Sequence, residues 1–166
     1  MAKIKILLAE DHIVVREGTR ELIQREPDME VIGEADDGIQ AVQMTGKLKP
    51  DVVIMDIAMP NLNGIEATKQ IKEKYPNTAI LILTAYDDDQ YVFALLEAKA
   101  AGYLLKTVRG QELISTIRAI CSGESVLQPS IARKVIERYN AAMRPGSKGL
   151  TEPLTRKEMD VLRLAA

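Results

Sequence analysis

Five side chains in this sequence could do chemistry together: Glu10, Asp11, Asp56, Thr84 and Lys106. Each follows, or closes, a short apolar run. Val52-Val53-Ile54-Met55 is rich in β-branching and ends on Asp56, the reading of a strand buried on both faces of a parallel sheet. Lys3 to Ala9 runs into Glu10-Asp11, Thr78 to Thr84 ends on its hydroxyl, and Tyr103-Leu104-Leu105 runs into Lys106. Taken singly, each has a plain reading; Asp56 alone could be a turn or cap residue. If the strands are parallel, all present their carboxyl ends at one edge, where open α/β sheets bind ligands. Three carboxylates meeting there repel one another unless a cation sits among them. Oxygen donors without cysteine or paired histidine point to Mg²⁺ rather than zinc. An aspartate not consumed by the metal can take a phosphoryl group. The ion, a lysine and a hydroxyl would balance the phosphoryl oxygens. His12, beside the acidic pair, is read as a helix-start residue rather than a ligand. No Walker A sequence and no Gly-x-Gly-x-x-Gly occurs, so ATP or a dinucleotide is not the expected ligand.

The elements that must position these groups alternate. A helix is predicted from about Ile13 to Arg25, stopped by Pro27, and a strand over Met29–Ala35. Asp36-Asp37-Gly38 reads as a turn and N-cap for a helix to about Leu48. Further helices are predicted over Gly64–Tyr75, from the acidic start Asp87-Asp88-Asp89 to about Ala101, and over Gln111–Ser122 with Gly123 as the C′ residue. The acidic start suits the helix macrodipole better than a metal site. Gly102 is read as the breaker of the fourth helix. The pattern is βα five times: an α/β, doubly wound parallel sheet with right-handed crossovers.

Composition narrows the class. The chain has 166 residues, 46% hydrophobic and 28% charged, ordinary for a globular protein with one full domain and a remainder. One cysteine, Cys121, excludes an internal disulfide and fits a cytoplasmic protein; burial in a helix is expected for it. No apolar run is long enough for a signal peptide or membrane span, so no membrane partner is expected. Residues 126–166 hold eight Lys/Arg against four Asp/Glu, the first 125 fourteen against twenty. That split suggests two functional parts.

The motifs Leu-Leu-Ala-Glu-Asp-His, Val-Ile-Met-Asp-Ile-Ala-Met-Pro-Asn-Leu-Asn-Gly, Ile-Leu-Thr-Ala-Tyr and Gly-Tyr-Leu-Leu-Lys resemble those of the receiver domain of two-component response regulators. The resemblance runs from about Lys3 to Ser122. It implies a flavodoxin-like (βα)5 sheet of order 2-1-3-4-5 and Asp56 as phosphoacceptor. Glu10, Asp11 and Asp56, with the backbone carbonyl of Ala58, would hold Mg²⁺. Thr84 would be the switch hydroxyl, Lys106 the phosphate-pairing lysine, and Tyr103 the aromatic that turns inward on activation. Thr107 stands where many receivers carry proline, so a cis peptide is less expected there. Ala58 and Tyr86, each two residues beyond a site residue, are expected to tune water access and the lifetime of the phosphoryl group. A phosphatase of the aspartyl-phosphate type would want a general acid where Ala58 stands. The chain is therefore expected to be a phosphoacceptor that promotes its own phosphoryl transfer and dephosphorylation, not an enzyme.

After the receiver (residues 1–125), a linker over 126–153 is expected to hold an amphipathic helix at about 130–143. Ile131, Val135, Tyr139 and Ala142 lie on one face, suited equally to packing on the receiver or to a dimer contact. Residues 154–166, with a Thr155/Glu158 capping box, resemble the first helix of a LuxR-type helix-turn-helix domain. Together the two resemblances imply the NarL/FixJ subfamily of transcriptional regulators, a sensor histidine kinase as partner and a homodimer on phosphorylation. DNA would be bound through the output domain of a longer protein. A lone first helix without a recognition helix should not bind DNA specifically. The alternative is a protein-interaction switch without DNA output.

Overall fold

The computed structural model describes residues 2–86, 88–127 and 129–143. The expected helix-turn-helix segment, 154–166, lies outside them. The strands are β1 (Ile4–Ala9), β2 (Met29–Ala35), β3 (Val52–Met55), β4 (Ala79–Thr84), β5 (Gly102–Leu105) and β6 (Val126–Leu127). The helices are α1 (Ile13–Gln24), α2 (Gly38–Leu48), α3 (Gly64–Lys74), α4 (Asp89–Glu97), α5 (Gly110–Cys121) and α6 (Pro129–Met143). All strand pairs are parallel, in the order β2-β1-β3-β4-β5-β6. The expected five strands and their order are present. The sixth, two residues long, extends the sheet beyond β5 into the segment read as linker; a two-residue strand has no period to detect.

The two faces of the sheet have separate cores. Ile6, Leu8, Val52, Ile54, Leu81, Leu83 and Leu104 face α1 and α5, meeting Ile23, Leu113, Ile117 and Ile120. Leu7, Val53, Met55, Ile80, Ile82 and Tyr103 face α2, α3, α4 and α6. Each strand thus feeds alternate side chains to opposite layers, and both must be apolar. α6 joins the second core: Ile131 and Val135 are fully buried, and Arg138 lies 4.0 Å from the centroid of the Phe93 ring of α4. Packing on the receiver is therefore what this face does; the Tyr139 and Ala142 side chains fall outside the described residues.

Two local readings are corrected. The fourth helix ends at Glu97, not near Ala101. Lys99 turns left-handed at φ 75°, and Ala100 N–H donates to the carbonyl of Leu95. This is a helix stop made without glycine; Gly102 instead opens β5. Cys121 is exposed, because it is the last residue of α5 and outside the Leu113–Ile120 stripe. α1 opens on outward-facing apolar residues, with Val14 82% exposed. The caps hold as expected: Asp37 Oδ1 accepts from Gln40 N–H at 2.7 Å, and Gly123 takes φ +91° after α5. No described peptide bond is cis, including that before Thr107.

Candidate functional site

The sheet's hydrogen-bond ladder continues past its strands and carries the chemistry to one edge. Glu10 N–H donates to the Ala35 carbonyl at 3.0 Å, Asp56 N–H to Ala9 at 3.0 Å, and Lys106 N–H to Thr84 at 2.8 Å. The loop after Asp56 is then folded back on itself. Gly64 N–H donates to the Ile57 carbonyl at 2.8 Å, and Gly64 lies so close to the Asp56 carbonyl that a Cβ would collide with it. Asn61, left-handed at φ 67°, donates from Nδ2 to Asp37 Oδ2 at 2.8 Å, tying this loop to the start of α2. Asp36-Asp37-Gly38 is structural, as its spacing suggested.

At that edge Asp56 is 3% exposed, Glu10 7% and Thr84 fully buried. Lys106 Nζ bridges the two acids, 2.5 Å from Glu10 Oε1 and 3.2 Å from Asp56 Oδ2. Asp56 Oδ1 accepts from Ile57 N–H at 2.8 Å. Burial and the Glu10 charge push Asp56 up to about 6, against the pull of Lys106. Burial also acts to raise Glu10, but Lys106 and the His12 N–H outweigh it and hold that carboxyl at about 2. For Lys106, burial works against the charge, yet the two acids win and its pKa is raised. The triad is thus a partly buried ammonium shared by one firmly ionised acid and one that titrates near neutrality.

Thr84 Oγ1 accepts from Tyr86 N–H at 3.3 Å, and the Tyr103 hydroxyl donates to the Tyr86 carbonyl at 2.5 Å. Tyr103 is 1% exposed, its ring among the buried residues of the second core. Tyr86 itself is half-exposed and meets Tyr91 edge-on, the centroids 6.0 Å apart. Ala58 is exposed on the loop after β3. Glu10, Asp11, Asp56 and Lys106 therefore come together, while Thr84, Tyr86 and Tyr103 form a second linked group at the ends of β4 and β5.

Two further residues belong here. His12 places Nδ1 3.2 Å from Glu10 Oε2 and 3.3 Å from Asp11 Oδ1. Arg16 donates from Nη1 to the Glu10 carbonyl at 2.7 Å. It also borders a shallow open cleft shared with Glu10, Asp56 and Val15. One turn of helix separates Arg16 from His12, and that spacing was the available signal for it.

Ligand atoms of Glu10, Asp11, His12 and Asp56 lie within 4.8 Å of one another. Asp11 Oδ1 is shielded from solvent and has no hydrogen-bond partner. A buried, unpaired carboxylate oxygen among acids fits a divalent cation, and an oxygen-rich set fits Mg²⁺.

The profile of the response regulator receiver domain matches residues 6–118. This chain belongs to that family. The chain is 44% identical to an uncharacterised transcriptional regulatory protein, YxjL, of Bacillus subtilis, over 99% of this chain and 76% of that one. It is 42% identical to the transcriptional regulatory protein LiaR of the same organism, over 98% and 76%. A LuxR-family two-component response regulator from an Aurantimonas species superposes with a TM-score of 0.78 at 36% identity, covering 82% of this chain and 98% of that one. The flavodoxin-like receiver fold and the response-regulator assignment expected from the motifs are both borne out. Among the described residues of the receiver, no helix is long and apolar enough to cross a membrane.

Proposed function

We propose that this response regulator is switched by phosphorylation of Asp56. The observation that carries the reading is the placement of Asp56: buried, with one oxygen on the Lys106 ammonium and the ligand atoms of Glu10 and Asp11 within 4.8 Å. An Asp56 oxygen attacks the phosphorus of a sensor kinase's phosphohistidine, and the P–N bond breaks as the imidazole leaves. Lys106 is already positioned to balance the added charge. Glu10, Asp11 and Asp56, with the Ala58 carbonyl, would hold Mg²⁺, which shields the phosphoryl oxygens from the surrounding carboxylates. Thr84 and Lys106 contact the new group, and Tyr103 reports it to α4 through Tyr86. Ala58 and Tyr86 flank the approach of water and set how long the phosphoryl group lasts. The receiver would promote both its own phosphorylation and its hydrolysis.

The output is transcriptional. The matched relatives are named as transcriptional regulatory proteins, and this chain spans about three quarters of their length. A LuxR-type DNA-binding domain in the full-length protein, and dimerisation on phosphorylation, complete the proposal. Its test is incubation with a small acyl phosphate and Mg²⁺, followed by intact-protein mass spectrometry. Wild type should gain one phosphoryl group and Asp56→Asn none; equal labelling of both would overturn the assignment.

A further inference from the structure

The first half of α1 has almost nothing apolar to hold it. From Ile13 to Gly18 every residue is exposed except Arg16, and the buried residue of the helix, Ile23, lies near its other end. An apolar stripe would ordinarily anchor a surface helix along its length; here ion pairs do it. Arg16, its side chain 18% accessible, donates from Nη1 to the Glu10 carbonyl at 2.7 Å. Its Nε stands 3.3 Å from Glu34 Oε1 on β2, and Arg20 Nη1 donates to Glu34 Oε2 at 2.9 Å. Glu34 thus holds two arginines spaced one helical turn apart. The Glu10 backbone is thereby secured twice to one stretch of β2. Its N–H reaches the Ala35 carbonyl at 3.0 Å, and its own carbonyl is tied through Arg16 to Glu34.

We propose that Arg16, held by Glu34, is a positioning residue that keeps the Glu10 carboxylate beside Asp56 and Lys106. The inference rests on the reading of this pocket as the phosphoacceptor's metal site. Arg16 acts there through Glu10 and takes no part in the transfer itself. Its charge alone would have the opposite effect. A cation beside an acidic pocket repels Mg²⁺, so deleting it would tighten magnesium binding. Deleting a contact that orients a ligand instead weakens the metal, by about tenfold or more. The sign of the change separates the two roles. Removing Arg16 and Glu34 together cancels the charge effect, because one positive and one negative group are lost.

The test is calorimetric titration of the full 166-residue chain with magnesium chloride. Arg16→Ala should weaken magnesium by about tenfold. Glu34→Gln should weaken it by about threefold. The double variant should match Arg16→Ala within about twofold, because Glu34 acts through Arg16. Arg118→Ala serves as the control: it breaks the ion pairs to Glu26 and Asp28 and should leave magnesium within about twofold. Circular dichroism confirms folding; if Arg16→Ala does not fold, Glu34→Gln, which changes no volume, carries the test, and unchanged affinity there overturns the proposal. Magnesium bound equally or more tightly by Arg16→Ala overturns it too. So does a double variant that departs from Arg16→Ala, or an Arg118→Ala that weakens magnesium as much. Each of these leaves the phosphoacceptor reading standing. Magnesium binding that is absent from wild type, or undiminished in Asp56→Asn, overturns the underlying reading itself.

Discussion

The Tyr103 hydroxyl donates to the backbone carbonyl of Tyr86 at 2.5 Å, joining the end of β5 to the turn that leaves β4. The same turn is held from the other side by the Thr84 hydroxyl, which accepts the Tyr86 N–H. Tyr103→Phe keeps the buried ring and removes this donor. It should cost about 1 kcal/mol in urea unfolding. A variant as stable as wild type would show that the Tyr86 carbonyl finds an equal partner elsewhere.

Asp56 makes the metal-free receiver less stable as it ionises. Its carboxyl is raised to about 6 when folded, chiefly by burial and then by the Glu10 charge. Between the ordinary carboxylate range and pH 6 the folded state therefore holds more protons than the unfolded one. Stability attributable to this group falls as pH rises through that window. Asp56→Asn removes the ionisation, at the expense of the Lys106 ion pair. With EDTA present, the variant should exceed wild type by about 1–2 kcal/mol at pH 7.5, and the gain should fade near pH 4. A gain independent of pH would sink the explanation.

The same titration competes with the cation. Below about pH 6 the Asp56 carboxyl is protonated, and magnesium must displace that proton. Glu10, held at about 2, stays ionised throughout. Magnesium affinity should be flat above pH 7 and fall by up to about tenfold per pH unit below 6. Affinity that holds constant down to pH 5 would exclude Asp56 as a ligand.

Two glycines should respond in opposite directions. A Cβ on Gly64 would collide with the Asp56 carbonyl, and the backbone cannot retreat without breaking the bond from Gly64 N–H to Ile57. Gly64→Ala should cost about 2 kcal/mol or more and weaken magnesium binding. Gly18, within α1, has nothing within 4 Å of its would-be Cβ. Gly18→Ala should stabilise by about 0.5–1 kcal/mol. Thermal and urea melts of the pair measure both, and a neutral Gly64→Ala would mean the loop can open beside Asp56.

The parts visible from sequence were those that a parallel sheet dictates. Strands buried on both faces must be continuous apolar runs, so Val52–Met55 and Ala79–Thr84 announced themselves, and the polar residues ending them could be placed at one edge. Asp37 and Gly123 were legible because capping demands particular residue types. What escaped depended on three-dimensional neighbours. β6 exists only because β5 offers an edge to Val126 and Leu127. The α4 stop at Lys99 uses a residue with no special propensity for it. Arg16 and His12 act across a helix turn onto Glu10, and nothing in their local sequence names the carboxylate they meet. Val14, in the first turn of α1, faces outward, since periodicity locates a stripe without saying which stripe is covered.

α6 has a mechanical consequence. Ile131 and Val135 anchor it in the same core as α4, and Arg138 grips the Phe93 ring at 4.0 Å. α4 in turn begins three residues after Tyr86. A load applied to the chain after Met143 is thus borne by α4, and a shift of the Tyr86 turn is felt at Met143. α6 is a lever with its fulcrum on Phe93, rather than a tether.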